Sequence, residues 1–185
     1  MTGGRGDAGD KTSVLDILEN QWTDAPPMNI ARYNHAAIVQ GDFLYVFGGS
    51  SDGNNLTGSV ERLKLSSAAA WKVIIREDYA LRRMQPAVCA INDKQIAIFG
   101  GRLQGTSAWC SAPCIFDVKP GTVKVQPSSY TNLQFLTQSK THQIGKSKFM
   151  TLGLGKEFHV HMVEFNWTDK KNHSIKSIHN FGTSM

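Results

Sequence analysis

The sequence predicts an all-β protein made of four-stranded units repeated along the chain, and three observations carry the prediction. An apolar run that stops at a double glycine, Phe43-Leu44-Tyr45-Val46-Phe47-Gly48-Gly49, returns as Gln95-Ile96-Ala97-Ile98-Phe99-Gly100-Gly101, with Gly48 and Gly100 52 residues apart. Strand-like segments flank both copies at matching offsets, which a chance recurrence of a glycine pair would not give. A third, drifted copy is Lys148-Phe149-Met150-Thr151-Leu152-Gly153, with Gly153 53 residues after Gly100 and Leu154 in the place of the second glycine. A period of this length marks an array in which each repeat is one supersecondary unit stacked on its neighbours.

Each unit divides into four strands. In the first, Ala37-Ile38-Val39 and the glycine strand are joined by Gln40-Gly41-Asp42, a short polar link between two apolar runs and hence a hairpin. Val60-Glu61-Arg62-Leu63-Lys64-Leu65 alternates as a half-buried strand does, and Trp71-Lys72-Val73-Ile74-Ile75 is the fourth. In the second unit, Cys89-Ala90-Ile91 and Asn92-Asp93-Lys94 lead into the glycine strand. The stretch 112–117, ending in Cys114-Ile115-Phe116-Asp117, supplies the third strand, and Val123-Lys124-Val125 stands 52 residues after Trp71. In the third unit, His142-Gln143-Ile144-Gly145 and the drifted glycine strand are followed by residues 158–165 and Ile175-Lys176-Ser177-Ile178. Ahead of all three, Gln21-Trp22 and Pro26-Pro27-Met28 form a lone fourth strand and its exit loop, Trp22 lying 49 residues before Trp71. Asp16 to Glu19 is open between a helical turn and an added strand. The expected division is a polar tail over 1–19, the lone strand and first repeat over 20–80, the second repeat over 81–130 and the degenerate third over 131–185.

Four-stranded units at this spacing are the blade pattern of β-propellers. The glycine pair after the second strand, with Trp71 in the fourth, resembles the kelch repeat across about residues 20 to 180. Gly48, Gly49 and Trp71 match in the first repeat; Gly100 and Gly101 with Phe116-Asp117 match in the second, where Val123 replaces the Trp. The resemblance implies about three kelch-like β-propeller blades plus an orphan N-terminal strand, an incomplete ring. The glycines let the chain leave the second strand where a Cβ would obstruct it, and the Trp packs between neighbouring blades. Propellers typically have about 4–8 blades, and repeats bury their faces only against neighbours. Three blades therefore imply that the chain is one piece of a larger propeller, assembles with another copy, or docks its open faces on a different subunit, and the expectation is obligate assembly, with protein partners in a multi-subunit assembly covering the open blade faces.

Composition narrows the function. The chain has 185 residues, 41% of them hydrophobic, and a mean hydropathy of -0.28, ordinary values for a globular protein. No apolar run reaches the roughly 20 residues of a membrane helix, and Met1 to Asp10 is glycine-rich and polar, so neither a membrane span nor a secretory leader is expected. The three cysteines, Cys89, Cys110 and Cys114, point to free thiols and a reducing, cytoplasmic setting, the cytoskeleton and nucleus included. Cys110 and Cys114 lack two further ligands for a metal. Without a leader, the acceptor-like Asn55, Asn166 and Asn172 are turn residues. The net charge of +5 suits an acidic partner, yet the basic residues are dispersed, with Lys170-Lys171 and Arg82-Arg83 the adjacent pairs, and Arg5-Gly6-Asp7 is a chance match to an adhesion tripeptide.

No catalytic, cofactor-binding or metal-binding residues are expected. A copper-radical oxidase on kelch-like blades needs two His, two Tyr and a Cys joined to one Tyr; here Tyr45 sits inside a hairpin strand and the His residues are scattered. His159 and His161 share a strand without a third ligand. Gly3-Gly4-Arg5-Gly6 lacks the Lys-Ser/Thr ending of a phosphate loop. The expected function is a non-enzymatic protein-binding scaffold within a larger complex, with contacts from the loops leading into each blade. These are Arg32, Asn34 and His35 for the first, Arg82, Arg83 and Gln85 for the second, and Thr141 and His142 for the third, all on one rim. Two alternatives stand beside it. One is the substrate-recognition subunit of a ubiquitin ligase, with a BTB or F-box segment supplied by a partner chain because the first 20 residues are too short to hold one. The other is a nucleic-acid-associated subunit acting through its basic surface.

Overall fold

Three antiparallel meanders of four strands follow one another along the chain in a computed structural model. The structure describes residues 1–52, 55–67, 69–106, 110 and 112–126, together with the backbone of strands at 140–145, 148–154, 158–164 and 174–181. Asn166 and Asn172, and the side chains of Thr141, His142, His159 and His161, lie outside the described residues. The chain forms two compact units, Met1–Met84 and Gln85–Met185. Among the described residues, helix is limited to two three-residue 3-10 turns, Gly6–Ala8 and Tyr79–Leu81.

The first unit starts with a hairpin of β1 (Thr12–Asp16) and β2 (Gln21–Ala25). The expected lone strand around Trp22 is β2, and its partner lies in the stretch expected as tail. Asp16 decides between the two readings of the link: its carboxylate accepts the N–H groups of Leu18 and Glu19 at 2.9 and 3.1 Å, and Asn20 takes a left-handed φ of 50°, which closes a turn and adds a strand. The first four-stranded sheet is β3 (Ala36–Gln40), β4 (Phe43–Phe47), β5 (Val60–Lys64) and β6 (Trp71–Ile75), and β7 (Arg83–Met84) ends the unit. Gly41, at φ 58°, turns β3 into β4, and the Asp42 carboxylate receives the Ser66 N–H and hydroxyl at 3.0 and 2.5 Å, closing the far end of β5. Alternation along β4 and β5 sends Val46 and Leu63 into a core with Met28 and Trp71. The Trp71 indole donates to the Pro26 carbonyl at 3.0 Å, so it packs on the exit loop of β2.

The second unit holds β8 (Ala87–Asn92), β9 (Gln95–Phe99), the two-residue β10 (Arg102–Leu103), β11 (Cys114–Asp117) and β12 (Thr122–Val125). Its other sheet is β13 (Lys140–Gly145), β14 (Lys148–Leu154), β15 (Phe158–Glu164) and β16 (Ser174–Phe181). Register tests the repeat directly. Leu63 stands opposite Trp71 and Phe116 opposite Val123, so Val123 occupies the place of the tryptophan. Glu61 stands opposite Val46 and Cys114 opposite Ile98, which makes Cys114 the counterpart of Glu61. β4 and β9 stop before their glycine pairs, whereas β14 runs through Gly153 to Leu154. With Leu in place of the second glycine, nothing compels the chain to leave extended pairing there.

Candidate functional site

Gly48 and Gly49 are the hub of the first unit. Both have left-handed backbones, φ 63° and 94°. A Cβ on Gly48 would lie 2.8 Å from the carbonyl oxygens of Leu81 and Arg83, and one on Gly49 would lie 2.8 Å from that of Tyr33 and 2.9 Å from the Cβ of His35. The Gly49 N–H donates to the Arg83 carbonyl at 3.0 Å. The glycine pair is thus held between the segments that lead into the first and second repeats, and only residues without a side chain let those segments approach so closely.

Arg32 braces this junction from inside. It has no exposed surface. Its Nη1 donates to the Gly48 and Ser59 carbonyls at 2.9 and 3.3 Å, and its Nη2 to Ser59 Oγ and Glu61 Oε1, both at 2.7 Å. Glu61 is equally buried and also accepts the Asn29 N–H and Nδ2, each at 2.8 Å, and the Ile30 N–H at 3.1 Å. Burial lowers the Arg32 pKa while the Glu61 charge and hydrogen bond oppose that shift. The pair is a desolvated strut rather than a recognition element.

Arg83 is buried as well, with Nε donating to the Ala80 carbonyl at 2.7 Å. It matches Arg32 in sequence place: each lies two residues before a non-glycine residue with left-handed backbone, Asn34 at φ 54° and Gln85 at φ 53°. Two of the expected rim residues, Arg32 and Arg83, therefore face inward. Their recurrence 51 residues apart as the same residue type was the signal for a structural role. Thr141 and His142 depart from expectation differently. They lie inside β13, opposite Thr151 and Met150, and the strand's first residue, Lys140, is in register with Ala36 and Ala87. With no turn-forming residue at Lys140 or Thr141, the strand begins before the place assigned to a loop.

Asn34, His35, Arg82 and Gln85 remain half-buried at the surface. Arg82 Nε is 2.6 Å from Glu77 Oε1, and that hydrogen bond, followed by the Glu77 charge, raises the arginine pKa. Glu77 also accepts the Gly58 N–H at 3.1 Å, pinning this loop to the β4–β5 connection. The Asp78 carboxylate accepts the Ala80 N–H at 2.9 Å and starts the 3-10 turn that leaves Tyr79 82% exposed. Sequence reasoning missed Tyr79, although the cap-forming Asp78 just before it and the charges at 76–78 and 82–83 marked a turn. Arg5, set aside with its tripeptide, stands 5.1 Å from the centre of the Tyr33 ring. These are hydrogen-bonding and stacking groups suited to a peptide surface.

Among the described residues, no three His, Cys, Asp or Glu side chains are grouped to hold a metal ion, and no helix is long and apolar enough to cross a membrane. Cys89, Cys110 and Cys114 form no disulfide with one another, and burial pushes Cys89 up to about 12, which keeps it protonated and unreactive. In the second unit, Asn92, Asp93, Lys94, Gln95 and Asp117 line an open recess. Gln95 Nε2 and Lys124 Nζ donate to the Asp117 carboxylate at 2.8 and 2.9 Å and hold its pKa below the usual value.

No family model matches the chain. Over 88 residues, 48% of the chain, it is 33% identical to kelch-like protein 38 of Rattus norvegicus, covering 14% of that protein. Over 101 residues, 55% of the chain, it is 30% identical to kelch-like protein 38 of Homo sapiens, covering 17% of it. Over 90 residues, 48% of the chain, it is 32% identical to an F-box/kelch-repeat protein of Arabidopsis thaliana, covering 32% of it. The chain thus spans about a third or less of the length of each of these relatives.

Proposed function

We propose that the chain, which resembles kelch-repeat proteins over about half its length, is a non-enzymatic protein-binding scaffold, a cytoplasmic subunit of a larger complex that engages its partner through the rim around Gly48 and Gly49. The observation that carries this reading is Tyr79, 82% exposed on a turn fixed by Asp78 and flanked by the Glu77–Arg82 pair. Tyrosine and arginine on a prearranged loop are the residue types that dominate binding energy at interfaces, since they bring large contact area and directed donors with little ordering cost. Asn34 and His35 are the further contacts, and the buried Arg32–Glu61 pair supplies the rigidity behind them.

The test is made on the native complex. Tyr79→Ala and Arg82→Ala weaken partner affinity at least about tenfold, as hot-spot residues do, while Ala in place of the exposed Lys72 of β6 (Lys72→Ala) changes it little. If both rim variants leave the co-purifying partner in place at wild-type affinity, the rim is not the binding surface. The likeness to an F-box/kelch-repeat protein favours a second reading, a substrate-recognition subunit of a ubiquitin ligase working with a partner chain. On that reading the rim variants also slow ubiquitylation of the bound protein.

A further inference from the structure

Tyr79 differs from the other described tyrosines in its access to solvent: it is 82% exposed, against 9% for Tyr33 and 0% for Tyr45. A turn of fixed geometry holds it there. Asp78 caps the turn at its start and the buried Leu81 ends it, while the Asp78 N–H donates to the Gly58 carbonyl at 3.1 Å. The backbone is thus anchored on both sides of an aromatic ring that stands in water. Glu77 and Asp78 precede the tyrosine directly, so an enzyme that recognises acidic residues ahead of its acceptor meets both on ordered chain.

A cation already stands beside this residue. Arg82 bonds Glu77 through Nε at 2.6 Å, and after the hydrogen bond and charge of Glu77, the nearby Tyr79 phenol also raises the arginine pKa. Both members of the ion pair are partly exposed, so water screens it and another anion can displace the carboxylate. Glu77 in turn accepts the Gly58 N–H through both oxygens, at 3.1 and 3.3 Å. Gly58 is packed so closely here that a Cβ would collide with the Asp78 carbonyl and with Glu77 Oε1. Glu77 therefore couples Arg82 to the connection between β4 and β5.

We propose that Tyr79 is a phosphorylation site whose phosphate draws Arg82 away from Glu77 and loosens the hold of Glu77 on Gly58. In the transfer, the phenol oxygen bonds to the γ-phosphorus of ATP as the bond from that phosphorus to the bridging oxygen breaks. ADP leaves with the electron pair, and the phenol proton passes to the catalytic carboxylate of the kinase. A phosphotyrosine carries a charge of about −1.5 to −2 and three acceptor oxygens, and a guanidinium meets phosphate through two parallel N–H groups. Glu77 is then outcompeted for Arg82 and repelled by the new charge two residues away. The inference concerns bonds within the first unit and is independent of which partner the rim binds.

The full chain is incubated with ATP and a protein-tyrosine kinase that selects acidic residues ahead of its acceptor, and phosphate is mapped by peptide mass spectrometry. Expected are phosphate on Tyr79 of the native chain, none on the buried Tyr33 and Tyr45, and loss of the Tyr79 signal in Tyr79→Phe. No phosphate on Tyr79, or modification of Tyr33 at the same rate, overturns the site. Amide hydrogen exchange reads the consequence. Gly58 exchanges at least about fivefold faster in the phosphorylated chain, and Arg82→Gln without phosphate moves it in the same direction, because Glu77 again loses its partner. Wild-type exchange at Gly58 in either chain overturns the coupling through Arg82 and Glu77. Faster exchange throughout the first sheet, Val46 included, overturns the local mechanism in favour of general loosening.

Discussion

Replacing Glu61 by Gln keeps the side chain's shape and removes its charge. The carboxylate accepts from Arg32 Nη2 at 2.7 Å, from the Asn29 N–H and Nδ2 at 2.8 Å and from the Ile30 N–H at 3.1 Å. An amide oxygen satisfies part of this set, while the amide NH2 confronts the remaining donors and the buried guanidinium loses its counter-charge. Breaking a buried ion pair by altering one partner costs about 3–5 kcal/mol, a large share of the roughly 5–15 kcal/mol that holds a domain together. The lost hydrogen bonds are not added to this figure, because they act on the same groups and are not independent. Arg32→Met with Glu61→Leu removes both charges and recovers part of the loss, but leaves the Asn29 and Ile30 N–H groups unsatisfied at about 1–3 kcal/mol. Urea unfolding followed by tryptophan emission reads the effect, because Asn29 Nδ2 also donates to the Trp71 carbonyl at 3.0 Å. A Glu61→Gln variant within about 1 kcal/mol of wild type at unchanged m-value would show that the strut is not needed.

Three further predictions concern the glycine hub and the thiols. Gly41→Ala meets no atom within 4 Å and carries only the penalty of a left-handed backbone, about 1–2 kcal/mol. Gly48→Ala carries that and the clash with the Leu81 and Arg83 carbonyls, so its thermal midpoint falls clearly further; equal midpoints would mean the glycine serves conformation alone. In the native chain a thiol reagent modifies the partly exposed Cys110 first, and the buried Cys89 and Cys114 only at the rate of unfolding; rapid native labelling of Cys89 contradicts its burial. Cys89 titrates at about 12 when folded and near 8.5 when unfolded, so the folded chain holds this proton longer. Its contribution to stability is complete below about pH 8.5 and declines as pH rises above that, and Cys89→Ala flattens the decline.

The strands were legible because their signals are local. Alternation in Val60 to Lys64 and the apolar run before each glycine pair placed the first two sheets almost residue for residue, and Trp71 and Val123 proved equivalent by register as well as by spacing. The match of β1 and β2 to β5 and β6, in which Leu15 faces Trp22 as Leu63 faces Trp71, escaped because the glycine pair ahead of it lies only 45 residues before the next, Gly3 to Gly48. The connection from Gly4 to Thr12 is shorter than that from Gly49 to Val60, and Met1-Thr2 is too brief to show alternation. Arg32 and Arg83 were assigned outward because arginine is rarely buried unless paired, and the pairing carboxylate of Arg32 lies 29 residues downstream, beyond the reach of any local pattern. Thr141 and His142 were misplaced by the weakness of the third repeat, where neither a double glycine nor a turn residue fixes the strand's start.

The strut between Arg32 and Glu61 also bears on how the chain acquires its structure during synthesis. Every partner in it, from Asn29 to Glu61, and the Trp71 bond to Pro26, lies within Met1–Met84. The first unit thus carries all the contacts of its own brace and can close while the rest is still being translated, in line with the domain-wise order in which nascent chains fold. Cys114, which stands in the glutamate's place in the next sheet, offers no charge to anchor such a brace. Early closure is therefore a property of the first unit, and a nascent chain paused after Met84 already carries the Tyr79 turn on a closed brace.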